Sequence, residues 1–168
     1  SQYAVCTLLL ALSACGGREQ TPYTGVKIGK PYEINGVTYT PAKQDDYDKV
    51  GDGSWYGPGF HGKRTASGER FDQDDLTAAH PTLPMPSLAR VTNLKNGKSI
   101  IVRINDRGPF HSKRIIDLSK ASAQAINLTH TMPVRVQYLR AETDAYLASL
   151  KGGKAMEIDM VAYNEQAR

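Results

Sequence analysis

The amino-acid sequence predicts a mostly-β domain closed into a small barrel, with short inserted helices. Three observations lead there. Short apolar runs alternate with polar residues at a period of two, Gly (15) and Pro (9) fall largely between those runs, and Asn-Gly pairs separate two of them. About six strands of this kind within roughly 90 residues suit a closed barrel better than an open sheet.

The elements follow in chain order. Residues 31–34 and 37–40 are β-prone runs around Asn35-Gly36, which predicts a hairpin. Residues 41–52 are acidic and read as irregular, and a strand is expected to start at Ser54 ahead of a glycine-rich loop. Asp72 is placed to cap a short helix ending near His80-Pro81. Residues 89–93 and 100–104 are expected to pair through a turn at Asn96-Gly97, because Ile100, Val102 and Ile104 alternate with Ile101, Arg103 and Asn105. Asp106-Arg107-Gly108-Pro109 ends that strand in a tight loop. Residues 115–118 form a further extended run, Ser119 caps a helix carrying Ala121, Ala125 and Leu128 on one face, and Val134, Val136 and Tyr138 mark the last strand. A final helix over 143–151 stops at Gly152-Gly153. The resulting organisation is a leader over 1–15, a tether over 16–30, a hairpin and linker over 31–52, a barrel over 53–140 and a helix with a tail over 141–168.

Composition narrows the function classes. The chain has 168 residues, 40% hydrophobic and 23% charged, with a mean hydropathy of −0.45, enough for one full core. A net charge of +4, with no arginine-rich arm, argues against a nucleic-acid partner and suits an anionic polymer. Residues 4–12 form an uncharged apolar run too short to span a bilayer. It leads into Leu12-Ser13-Ala14-Cys15, followed by Gly16, which resembles a bacterial lipobox. Cys15 is therefore the expected lipidation site, anchoring the protein to a membrane. The other cysteine, Cys6, lies inside the leader, so neither a disulfide nor a thiol nucleophile is expected beyond it.

The candidate chemistry lies in loops. Glu69 follows Ser67-Gly68, Asp72 and His80 bracket the expected short helix, and Asp106 stands at a strand end. Taken singly, each has a structural explanation as a loop acid, a cap, a helix end or a turn residue. Taken together, two carboxylates with a histidine and nearby arginines form the minimum set for cleaving a glycosidic bond. His61, His80, His111 and His130 lack ligand spacing, and there is no nucleophile elbow or HExxH, so neither a metal nor another cofactor is expected.

The segments 54–62, 65–69, 76–80, 90–93, 102–110 and 116–119 resemble, in order, the rare lipoprotein A family. The resemblance implies a six-stranded double-psi β-barrel. It also implies a periplasmic lytic transglycosylase of a Gram-negative bacterium, and Gly16 rather than Asp after Cys15 points its anchor to the outer membrane. The implied substrate is peptidoglycan glycan already stripped of peptide, with septal division proteins as further partners. By motif, Asp106 is the expected acid and Glu69 the carboxylate that stabilises charge at C1, with Asp72 and His80 in support. Trp55 and Tyr56 are expected to line the sugar subsite, and Arg103 or Arg107 to pair with a lactyl carboxylate. An expansin-like wall binder, a septal structural protein and a hydrolytic glycosidase are the competing readings.

Overall fold

The structure, a computed structural model, describes residues 26–111 and 113–151 together with Asn164. Two short strands, β1 (Tyr32–Ile34) and β2 (Val37–Tyr39), form a separate hairpin. Its turn residues Asn35 and Gly36 both have positive φ (51° and 78°), the backbone that a two-residue turn between twisted strands requires.

Six strands make the barrel: β3 (Asp48–Trp55), β4 (Thr77–Ala79), β5 (Ser87–Asn93), β6 (Ser99–Asp106), β7 (Arg114–Leu118) and β8 (Met132–Tyr138). They close in the order β3-β7-β4-β6-β5-β8, with β3/β7 and β4/β6 parallel and the other pairs antiparallel. The mostly-β barrel expected from the alternation pattern is present. So is the 89–93/100–104 pairing, with Ala89 opposite Val102 and Val91 opposite Ile100.

Every second residue points inward. Val91, Val102, Ile104, Ile116, Leu118, Val134 and Val136 are fully buried in one cluster. Burying each such side chain contributes about 1.5–3 kcal/mol. Helix α1 (Lys120–Ala125) adds Ala123 to this core, with Ile126 and Leu128 just beyond it. Ser119 caps α1 as expected, its side chain accepting from the Ser122 N–H at 3.1 Å. Helix α2 (Arg140–Lys151) places Tyr146 against Leu88 and Ile101 on the barrel's outside.

Two expectations are corrected. The helix expected from Asp72 to His80 is absent. Asp72 accepts from the Asp74 N–H (3.0 Å) in a turn, and the chain then enters β4. Thr77-Ala78-Ala79 has helix-tolerant composition, but both edges of its backbone are taken up, by β6 on one side and β7 on the other. Sheet pairing overrides local propensity. The stretch expected to be irregular also holds most of β3, whose polar Asp48–Gly51 portion pairs with Val134–Gln137 of β8. The expected leader with Cys15, tether residues 16–25 and tail residues 152–163 and 165–168 lie outside the described residues.

Candidate active site

A row of residues crosses three adjacent strands. Ala79 of β4 stands opposite Asp106 of β6 on one side and Asp117 of β7 on the other. A bulge between Ala78 and Ala79 shifts the register by one, which turns Asp106 to the same outer face as Ala79 rather than into the core. Strands lie about 4.8 Å apart, so the two aspartate backbones are roughly 10 Å from one another, with only a methyl group between them. Beside this row lies a cleft of about 350 Å³, whose lining includes Trp55, Tyr56, Phe60, Phe110, Arg114 and Asp117.

Asp106 is held by three donors. Its Oδ1 accepts from the N–H groups of Ala66 (2.9 Å) and Arg107 (2.8 Å), and its Oδ2 from the Tyr56 hydroxyl (2.9 Å). The turn that supplies the Arg107 N–H depends on Gly108, whose φ of 118° is open to glycine and strained for other residues. Tyr56 packs on Phe71 and Phe60. Burial, and then the negative charge of Asp106, push its hydroxyl well above the ordinary value, so it stays protonated.

Asp117 differs. It accepts one long contact from Arg114 Nη2 at 3.5 Å, and its Oδ1 is buried with no partner among the described residues. Burial raises its pKa above the ordinary carboxylate value, although Arg114 and His111 pull the other way. The sequence reading gave Asp117 no chemical role. It sits between core residues Ile116 and Leu118, where alternation marks an outward polar position but not what that position faces.

The remaining expected residues are placed as follows. Glu69 closes on Arg103 (2.5 Å) and accepts from the Ser67 hydroxyl (3.0 Å), away from the residues that line the cleft. Its loop nevertheless reaches Asp106, because Ala66 bonds that carboxylate and the Ser67 N–H reaches the Asn105 carbonyl (3.2 Å). Burial pulls Arg103 down, and its bond to Glu69 more than offsets this, so it remains a charged partner. Asp72 makes its turn 3.8 Å from His61 Nδ1. Arg107 lies at the cleft but gives its guanidinium to the carbonyls of His80 (3.2 Å), Leu83 (2.5 Å) and Ile28 (2.8 Å). His80 is fully buried, and its Nδ1 accepts from the Thr82 and Leu83 N–H groups, both at 3.1 Å. It shapes the turn whose carbonyls grip Arg107. Trp55 and Tyr56 line the cleft, which also holds Phe60 and Phe110. Among the described residues no group of three metal-ligating side chains converges.

The closed barrel thus sets two aspartates on either side of Ala79, beside an aromatic cleft. A family model described as lytic transglycolase matches residues 48–138, over half of the chain. The endolytic peptidoglycan transglycosylase RlpA of Neisseria meningitidis serogroup A is 49% identical over 73% of this chain and 52% of its own length. The Rickettsia felis protein of the same name is 39% identical over 85% of this chain and 74% of its own length. The Pseudomonas aeruginosa one is 52% identical over 69% of this chain and 34% of its own length. The chain belongs to the lytic transglycolase family. It spans about half the length of the Neisseria relative.

Proposed function

We propose that this protein is a lytic transglycosylase of peptidoglycan glycan strands, with Asp117 and Asp106 as its catalytic carboxyls. The reading rests on the cross-strand row that sets the two aspartates on one face either side of Ala79. The activity for which the relatives are named supports the same reaction. The division of labour differs from the one expected from the motifs. Asp106 already receives three donors, which suits a charged group, whereas Asp117 is desolvated, which suits a proton carrier.

Asp117 then protonates the glycosidic oxygen leaving the muramyl sugar. The carboxylate of Asp106, oriented by Tyr56 and the Ala66 and Arg107 amides, stabilises the positive charge developing at C1. The sugar's own C6 hydroxyl attacks C1 and returns its proton to Asp117. The product is a 1,6-anhydro ring, and no water is consumed. Trp55, Tyr56, Phe60 and Phe110 give the subsite apolar faces that exclude competing water. Glu69 and Arg103 brace the loop that donates to Asp106. No cofactor takes part. The setting this implies is the periplasm, with the chain held at a membrane, in the outer one because Gly16 follows Cys15, and acting beside septal proteins on peptide-stripped strands.

The test is product mass from glycan strands, since an anhydro end is lighter than a reducing end by one water. Wild-type chain should give anhydro ends. Asp117→Asn and Asp106→Asn should each lower release by about 10²–10⁴-fold with little change in melting temperature. The wild-type rate should fall as pH rises through the raised Asp117 pKa, where the acid loses its proton. Near-normal release by Asp117→Asn would return the acid role to Asp106. Reducing ends would make the protein a hydrolase, and no cleavage at all would leave a wall-binding barrel.

A further inference from the structure

Three arginines of the barrel, two of them at the cleft, have different partners. Arg103 closes on Glu69, and Arg107 is held by three backbone carbonyls. Arg114 lines the cleft with only the long 3.5 Å contact to Asp117, and its Nε is buried with no partner among the described residues. A guanidinium offers five donors in a planar fork suited to a carboxylate. A buried donor without an acceptor costs about 1–3 kcal/mol, so little holds this guanidinium in its present place, and its partly exposed end can turn to a ligand's acceptor. His111, exposed on the same cleft, adds a second donor, while Trp55, Tyr56 and Phe60 offer faces for a sugar ring. The ligand these groups fit is a sugar that carries its own carboxylate.

We propose that Arg114 is the specificity-determining residue of the cleft, and that it takes the free carboxylate of a muramyl sugar's lactyl arm in exchange for its contact with Asp117. This rests on the glycan reading above and adds the residue that distinguishes a bare lactyl arm from one bearing peptide. Peptide attachment converts the carboxylate to a neutral amide, which forfeits the charge-assisted fork. Recognition is also coupled to chemistry. A carboxylate drawn onto Arg114 removes the cation beside Asp117 and sets an anion nearby, and both changes favour the proton-bearing form of that acid. Arg107 cannot substitute without releasing three carbonyls.

The experiment compares anhydro-end release from peptide-stripped strands with release from the same strands whose lactyl carboxylates are methylamidated. Wild-type chain should prefer the free acid by about ten- to a hundredfold in kcat/KM. Arg114→Gln should erase that preference by slowing the free-acid substrate, and Arg114→Lys should recover part of it. Retained preference in Arg114→Gln, or equal loss on both substrates at an unchanged melting temperature, overturns the proposal. Calorimetric titration of wild-type chain with a muramyl tetrasaccharide and its methylamide decides the matter if Arg114→Gln unfolds, and equal affinities overturn it. Absence of anhydro ends from either substrate refutes the lytic reading instead, and the titration then still judges the carboxylate site.

Discussion

At Nδ1 His80 accepts two backbone N–H groups, so in its neutral form the ring proton resides on Nε2. That nitrogen is buried without a hydrogen-bond partner among the described residues, and the ring stands edge-to-face with Tyr47 at 4.9 Å. Burial, reinforced by Arg107, pushes its pKa from 6.5 down to about 3. His80 therefore stays neutral throughout any plausible working range, which makes it a positioning residue for Arg107 rather than a proton carrier. A stability consequence follows. The unfolded chain binds a proton at this site as pH falls through 6.5, and the folded chain does not until about 3. His80's share of stability is thus complete above 6.5 and declines as the solution is acidified. The melting temperature should drop measurably between pH 6.5 and about 5, before most carboxylates titrate. An imidazole resonance of folded His80 that titrated near 6.5 would show this assignment to be mistaken.

The β1–β2 hairpin lies outside the span matched by the family model, yet it reaches the cleft. Tyr32 and Tyr39 stack at 5.3 Å, and both meet Phe110 edge-on at 6.0 and 5.4 Å. The Tyr32 hydroxyl donates to the Pro81 carbonyl at 2.7 Å. Lys27 pairs with Met85, and the Ile28 carbonyl accepts from Arg107. Residues expected to belong to a tether are therefore tied to the barrel. The hairpin braces the loop after Asp106 from outside. Tyr39→Ala removes one of the two rings that hold Phe110, at a cost of about 0.5–1.5 kcal/mol beyond the lost area. The expected result is a lower melting temperature and a several-fold higher KM for glycan, with kcat changed far less. Unaltered KM in that variant would mean that the hairpin merely decorates the barrel.

For the whole molecule, the barrel's closure leaves no free sheet edge and gathers its chemistry on one outer face. On the function proposed above, the glycan strand lies along that face as an extended polymer. No described helix is long and apolar enough to cross a membrane. Membrane attachment is proposed through Cys15, since two or more acyl chains give stable anchoring. Cys15→Ala expressed in a bacterium should move from the membrane pellet to the soluble periplasmic fraction and cease to take up labelled palmitate. Continued pelleting with label would place the anchor elsewhere.

Local signals determined much of this architecture. Asn35-Gly36, the alternation at 100–104 and the Ser119 cap each act within a few residues, so the sequence alone specified the hairpins, the strand faces and the helix start. Family motifs also singled out Asp106 and its loop before any contact was known. Long-range pairing decided the rest. Thr77-Ala78-Ala79 is too short to show a period, and only β6 and β7 on either side make it a strand. That same strand, with its bulge, brings Asp106 and Asp117 onto one face. Three arginines that look alike in sequence are separated by their acceptors: a carboxylate for Arg103, carbonyls from distant turns for Arg107, and one long contact for Arg114. Periodicity tells which way a side chain points, whereas the group waiting there comes from chain segments tens of residues away, and only closure of the barrel brings the two together.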